Sequence, residues 1–395
     1  MFERDLAEIA KRLASKFPVL SITGPRQSGK TTLVKELFKD HAYVLLEYSD
    51  EREYAQSDPR GFLKKHSNEH GLIIDEVQYA PGLLSYIQGI VDEQNKPGHF
   101  ILTGSQDFSV SQEITQSLAG RVGIITLLPL SIHELKSNDL LPTTIEDAVF
   151  FGGYPRSYNQ DIEPTDFYPS YIRTYIERDV RQMINVTDLD TFQRFVRLCA
   201  GRTGQILNLT SLGNDCGVSH NTAKAWISIL QASYIVFLLQ PYYGNFSKRL
   251  IKSPKLYFYD SGLACSLLKI RSVDELGNHY NKGGLVEGLI IADLYKQFCH
   301  AGQEPGIFFW RDTTGHEIDC IVEERGKLVP VEIKAGYTFN SSFLDALSYW
   351  KNNVVKDLGV RGFVVYGGSQ EQSREQAEVI SWKNAGQLLK NILRE

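Results

Sequence analysis

The run Gly24-Pro25-Arg26-Gln27-Ser28-Gly29-Lys30-Thr31 constrains the fold more than any other stretch of this chain. Two glycines, then lysine and threonine, make a loop whose backbone can curl around a phosphate group. The apolar residues from Phe17 to Thr23 predict a buried strand before it, and Thr31 to Phe38 predict a helix after it. A strand feeding such a loop and then a helix opens an α/β fold built on a parallel sheet. Gly24, Pro25, Arg26, Gln27, Ser28 and Gly29 would lie along the phosphates, with Thr32 at the helix start. Lys30 would neutralise the β- and γ-phosphates, and the Thr31 hydroxyl would join the shell of a Mg²⁺ ion.

A second apolar run, Gly71-Leu72-Ile73-Ile74, ends in Asp75-Glu76. It predicts a strand that carries two acids to its C-terminal edge. Asp75 would hold a metal-bound water, and Glu76 would activate the water that attacks. Phe100 to Ser105 predicts a further strand, and Thr103 or Ser105 either touches the γ-phosphate or positions water, or belongs to an ordinary turn. Arg121 is either a sensor of phosphate charge or a plain surface arginine.

With 395 residues, two to four domains are expected. The formal net charge of -5 argues against a chain coated in nucleic acid but leaves local basic patches open. Cys199, Cys216, Cys265, Cys299 and Cys320 form no Cys-x-x-Cys pair, which predicts reduced thiols rather than disulfides or zinc. Neither a signal peptide nor a membrane span is apparent, so the cytoplasm is expected and no membrane partner.

Together with Leu128-Pro129-Leu130-Ser131-Ile132-His133-Glu134-Leu135 and Phe151-Gly152-Gly153-Tyr154-Pro155-Arg156, these motifs resemble a branch of the AAA+ ATPases. That branch is bacterial and archaeal and lies near the signalling ATPases whose lid carries a Gly-x-Pro motif. The resemblance implies that Asp75 and Glu76 are the Walker B acids and that Pro155 and Arg156 face the nucleotide from the lid. It also implies ATP as ligand and a homo-oligomer as one possible assembly. Tyr171 to Val180 reads as lid helix, with an Arg178-Asp179 pair that has no chemical account.

The segment from 191 to 247 predicts a helix-turn-helix followed by a ribbon, that is, a winged-helix-like module. Ser219 would cap a helix from His220 to Gln231 with Ala223, Trp226, Ile227 and Leu230 as its apolar face. His220, Asn221, Lys224 and Ser228 would be exposed, a thin set for phosphate contact. Tyr234 to Tyr243 predicts a strand, with a turn at Gly244-Asn245. A basic run follows, Lys248, Arg249, Lys252 and Lys255, interleaved with Tyr257 and Tyr259. The module either contacts DNA or serves as a packing element with a solvated basic strand.

Near the end, Glu317-Ile318-Asp319 and Val331-Glu332-Ile333-Lys334 predict neighbouring strands, after a helix carrying Glu287. Strand alternation puts Glu332 and Lys334 on one face, where Asp319 can join them. Two acids that hold Mg²⁺ or Mn²⁺, with a lysine that orients or deprotonates water, suit phosphodiester cleavage. The pattern resembles the PD-(D/E)XK nuclease fold, which implies Glu287, Asp319 and Glu332 as metal ligands and Asp319, Glu332 and Lys334 as catalytic residues. Pro330, on the same strand, would suit a strand start or edge.

The expected architecture is α/β: a P-loop AAA+ core over 1–150, a helical lid over 151–190, a winged-helix-like module over 191–247 and a PD-(D/E)XK-like domain over 248–395. The expected protein binds and hydrolyses ATP and acts on DNA, either cutting it or gripping it as a nucleotide-dependent switch that binds DNA or a protein without cleavage.

Overall fold

The computed structural model describes residues 2–105, 117–180, 188–242, 253–312, 314–354 and 361–394. These fall into two units: Met1–Pro129 with Ala232–Tyr234 and Cys299–Gln303, and Leu130–Gln231 with Ile235–Phe298 and Glu304–Glu395.

In the first unit Leu6–Ala14 (α1) precedes Val19–Thr23 (β1), which is buried at every residue. Lys30–Leu37 (α2), Ala42–Leu45 (β2), Ser49–Ser57 (α3) and Pro59–His66 (α4) follow. Leu72–Asp75 (β3), Leu83–Gln94 (α5), Phe100–Gly104 (β4) and Val122–Thr126 (β5) complete it. The strands are parallel and lie in the order β2-β3-β4-β1-β5. Alternation sends Val19, Leu72, Ile74, Phe100 and Leu102 to a core with Phe62 and Ile87. The intervening Leu20, Ile22, Ile73 and Ile101 meet Leu6, Leu33 and Val34 on the other face. A sheet covered on both faces exposes only its ends, so chemistry collects where β1, β3 and β4 end.

The second unit begins with Ile132–Ser137 (α6), whose capping box pairs the Ser131 hydroxyl with Glu134 N–H and the Glu134 carboxylate with Ser131 N–H. Ile145–Phe151 (α7), Pro155–Asn159 (α8) and Pro164–Tyr171 (α9) follow. Ile172–Val180 is a π-helix, a looser coil than the α-helix expected there. The side chains of Arg178 and Asp179 lie outside the described residues.

Leu189–Ala200 (α10), Leu209–Cys216 (α11) and His220–Ala232 (α12) come next. Ser219 Oγ accepts from Thr222 N–H at 3.1 Å, and Trp226 meets Phe192 and Phe195 edge-on at 5.2 and 5.0 Å. His220, Asn221 and Lys224 are exposed. Val236–Leu239 (β6) pairs antiparallel with Lys255–Phe258 (β7). Gly244, Asn245, Lys248, Arg249 and Lys252 lie outside the described residues.

After Ser261–Leu267 (α13), Val273–Gly277 (α14) and Lys282–His300 (α15) stands a six-stranded sheet. Its strands are Ile307–Arg311 (β8), Glu317–Glu324 (β9), Lys327–Lys334 (β10), Gly362–Tyr366 (β11), Gln372–Ser373 (β12) and Ala377–Ser381 (β13), in the order β12-β13-β11-β10-β9-β8. Asp345–Asn353 (α16), between β10 and β11, brings Trp350 against Trp310, and Leu388–Arg394 (α17) follows β13. Pro330 lies inside β10, but pairing with β11 begins one residue later, at Val331, so on that side the strand is still an edge. The chain thus contains the expected parallel ATPase-type core and a further C-terminal α/β sheet. Among the described residues no helix is long and apolar enough to cross a membrane.

Candidate nucleotide site and carboxylate cluster

The chain turns out of β1 at Gly24, where φ is +144° and a Cβ would stand 2.1 Å from the Leu127 carbonyl oxygen. Only glycine fits. Gln27 and Gly29 also adopt positive φ, and α2 starts at Lys30. Lys30 Nζ donates to the carbonyl oxygens of Gly24 (2.9 Å) and Pro25 (2.8 Å), folding the ammonium into the loop. Its burial lowers the pKa to about 8, against the pull of Glu76 and Asp75. Ser28 Oγ is fully buried and, among the described residues, has no hydrogen-bond partner. An orphaned hydroxyl beside a buried lysine is a donor set that fits a phosphate.

Parallel pairing brings the ends of β3 and β4 beside the loop. Asp75 is buried, and its Oδ2 accepts from Thr31 Oγ1 at 2.7 Å and from Tyr43 OH at 2.8 Å. Thr103 donates to its other oxygen. Glu76 adopts the left-handed conformation (φ 58°), and its Oε2 accepts from Ser105 Oγ at 2.7 Å and from the Gln78 amide. Thr31, Asp75, Glu76 and Ser105 thus form one hydrogen-bonded edge.

Three expected residues stand apart from that edge. Thr32 is exposed on α2. Arg26 reaches Tyr79 OH at 3.2 Å and Glu47 at 3.5 Å. Arg121 precedes β5, at the end of the sheet opposite the loop, where it is half-buried and binds Asp92. That is the position of a surface arginine.

Pro155 and Arg156 belong to the second unit. Pro155 opens α8, and exposed Arg156 donates to Gln160 at 3.1 Å. The preceding glycines are pinned: Gly153 N–H donates to Asp260 at 2.7 Å, and a Cβ at Gly153 would meet Leu130 O at 2.5 Å. Asp260 also accepts from Tyr168 OH at 2.7 Å and caps α13 through Leu263 N–H.

Sequence reasoning missed Arg4. Buried at the start of the chain, it donates to Ser28 O and Leu128 O, each at 2.7 Å. No local pattern marks an arginine that reaches two carbonyls so distant in sequence.

In the C-terminal sheet, β9 and β10 set Asp319, Glu332 and Lys334 together. Lys334 Nζ lies 2.6 Å from Glu332 Oε2 and 3.5 Å from Asp319 Oδ2. Ile333 N–H donates to Asp319 Oδ2 at 2.8 Å. Glu332 is 3% exposed, and burial together with the Asp319 charge pushes its pKa up to about 8. Lys334, although burial pulls the other way, is held above its ordinary value by Asp319 and Glu332.

Glu287, on α15, is raised to about 7 by burial and by Asp319. It accepts from Tyr257 OH and from Lys255 Nζ, the latter at 2.9 Å. Lys255 also pairs with Glu317. This corrects the reading of Lys255 as part of an exposed basic run: it is 3% exposed, and its charge is consumed by Glu287 and Glu317. Hard carboxylate oxygens suit Mg²⁺ or Mn²⁺. Lys334 already stands between two of them, however, and among the described residues the oxygens of Glu287, Asp319 and Glu332 do not all come within 4.8 Å of one another.

A parallel sheet with a glycine-lysine loop at the end of β1 and two acids at the end of β3 defines an ATPase of the AAA, P-loop type. A family model described as "AAA domain" matches residues 16–136. Two domains of unknown function, DUF8612 and DUF4143, match residues 142–274 and 282–385. The chain is 30% identical over 336 residues to Uncharacterized protein Rv2008c of Mycobacterium tuberculosis, covering 84% of this chain and 73% of that protein. Uncharacterized protein Mb2031c of Mycobacterium bovis matches to the same extent. The chain belongs to the family of these mycobacterial proteins. Among solved structures it is similar to the Walker-type ATPase PABY2304 of Pyrococcus abyssi, with a TM-score of 0.47, 15% identity and coverage of 68% of this chain and 96% of that one.

Proposed function

We propose that this protein binds and hydrolyses ATP at the loop from Gly24 to Thr32 and acts on DNA through its second unit. The observation that carries the ATP half is the hydrogen-bonded edge of Thr31, Asp75, Glu76 and Ser105, with Asp75 and Ser105 buried, beside the buried Lys30. Thr31 and Asp75 would hold Mg²⁺, which would supply charge to offset that developing on the leaving phosphate. Lys30 exchanges the Gly24 and Pro25 carbonyls for phosphate oxygens. Glu76 Oε2 orients the attacking water and takes its proton. Pro155 and Arg156 are assigned to face the nucleotide from the lid, on the resemblance alone.

The DNA half rests on the Asp319, Glu332 and Lys334 cluster. Asp319 and Glu332, with Glu287, would hold Mg²⁺ or Mn²⁺, which would stabilise charge on a phosphodiester under attack. Lys334, released from Glu332, positions water. The domain is read as PD-(D/E)XK-like and the segment from α10 to β7 as winged-helix-like. The test is cleavage of single-stranded, duplex and four-way-junction DNA with either metal, with and without ATP, beside Glu332→Ala and Lys30→Ala. Products lost in Glu332→Ala support a nuclease; products that persist in it disprove the assigned site.

A second reading is a nucleotide-dependent switch that binds DNA or a protein without cutting. What favours it is Lys334 occupying the space between Glu332 and Asp319 while Lys255 and Tyr257 hold Glu287. It expects ATP-sensitive binding and no cleavage products under any metal condition.

A further inference from the structure

α10 buries Phe192, Phe195, Val196 and Cys199 and turns Asp190, Arg194 and Arg197 outward on its opposite face. A groove of about 500 Å³ runs along that outward face and ends at Lys269. A second, of about 180 Å³, adds Arg173 beside Arg197 and Lys269. A third, of about 280 Å³, continues from Lys269 to Arg271. Lys269 lines all three, so they form one track.

The charge of this track is one-sided. Arg173, Arg194, Arg197, Lys269 and Arg271 line it with Asp190 as the one lining carboxylate among the described residues, in a chain of net charge -5; at its edges Asp188 attracts Arg194 and Glu275 accepts from Arg271 N–H. Three arginines elsewhere do pair with carboxylates: Arg121 with Asp92, Arg202 with Asp215, Arg361 with Glu378. Among the described residues, none of the five side chains in the track makes an ion pair or a hydrogen bond.

Lys269 carries a second, independent signal. It follows the end of α13 with φ 61°, closing the helix through Lys269 N–H to Ser266 O and Ile270 N–H to Cys265 O, both at 3.0 Å. This left-handed position is ordinarily given to glycine, and a lysine there is strained. Strain kept where glycine would relieve it points to a side chain that is needed.

We infer that this track binds the phosphodiester backbone of DNA, which would place the contact on α10 and the turn after α13 rather than on the exposed face of α12. The inference rests on the DNA reading above and names the surface for it. Four of the five cations are arginines, whose planar fork pairs with phosphate oxygens through two hydrogen bonds. Their spread along adjoining open grooves suits a polymer of phosphates rather than a single anion. Contacts of this kind are independent of base sequence.

The test is fluorescence anisotropy of the full chain with a labelled random-sequence duplex over a salt series, with and without Mg-ATP. The Arg194→Ala/Arg197→Ala protein should bind about tenfold or more weakly, and its salt slope should fall by about one per cation removed. Lys269→Gly should also bind more weakly while its melting temperature rises, a pairing that a purely structural role would not produce. Equal binding by wild type and all variants would overturn the track and leave the DNA reading standing. Absence of duplex binding by the wild type would overturn both. Displacement of the duplex by polyglutamate as effectively as by unlabelled duplex would assign the track to an acidic protein and overturn it for DNA.

Discussion

Arg4 Nη1 lies 2.7 Å from the backbone oxygen of Ser28, and its Nη2 lies 2.7 Å from that of Leu128. One buried guanidinium thereby ties the back of the phosphate loop to the chain leaving β5. A clamp on the loop's carbonyls from behind would hold its N–H groups in a fixed direction. Arg4→Ala should leave two buried carbonyl oxygens without a donor, costing about 2 kcal/mol in urea unfolding. It should also weaken ATP binding about tenfold, with Arg4→Lys recovering part of that affinity. Unchanged affinity in a destabilised Arg4→Ala protein would show that the clamp serves stability alone.

Lys30 makes nucleotide binding sensitive to pH. Burial lowers its pKa from 10.5 to about 8, so above pH 8 most of the free protein carries a neutral amine there. A triphosphate stabilises the ammonium and draws a proton in. Affinity should therefore fall as pH rises through about 8. Calorimetry in buffers of different ionisation enthalpy should show proton uptake near pH 8.5 and almost none near pH 6.5. Uptake that does not change with pH would disprove the assignment.

Glu332 shifts in the opposite sense. Its folded value is raised from 4.5 to about 8, so between these pH values the unfolded chain has released a proton that the folded protein retains. Stability contributed by this position therefore declines as pH rises across that window. Glu332→Gln removes the decline. Relative to wild type, its melting temperature should be nearly unchanged at pH 5 and several degrees higher at pH 8, of the order of 1–3 kcal/mol. An offset equal at both pH values would argue against the buried, protonated carboxyl.

Lys255 sits between Glu287 and Glu317. Lys255→Met would leave both carboxylates without their buried cation and should cost about 3 kcal/mol. Double variants that also carry Glu287→Gln should recover part of the loss, because the uncompensated charge goes with the glutamate. Chemical denaturation of the single and double variants measures that coupling. Full additivity would mean that the pair does not interact.

Much of the fold was legible because its signals are local. Apolar runs from Val19 to Thr23 and Leu72 to Asp75 bracket motifs whose spacing already requires a strand, a turn and a helix. Alternation of Val331, Glu332, Ile333 and Lys334 likewise assigns faces before any pairing is known. Tyr171 to Val180 shows the limit of that reading: a helical segment was legible there, but its π-helical winding was not.

The sequence by itself determined the parallel ATPase core, the loop from Gly24 to Thr31 and the further α/β sheet, because contiguous residues encode strand, turn and helix through backbone sterics and burial. Only the tertiary structure decided which distant charges meet. It placed Arg4 behind Ser28, buried Lys255 between two glutamates, set Arg121 at the far end of its sheet, and gathered Arg173, Arg194, Arg197, Lys269 and Arg271 along one track. A side chain's charge is written in the sequence, but its partner and its solvation follow from chain segments brought together in space.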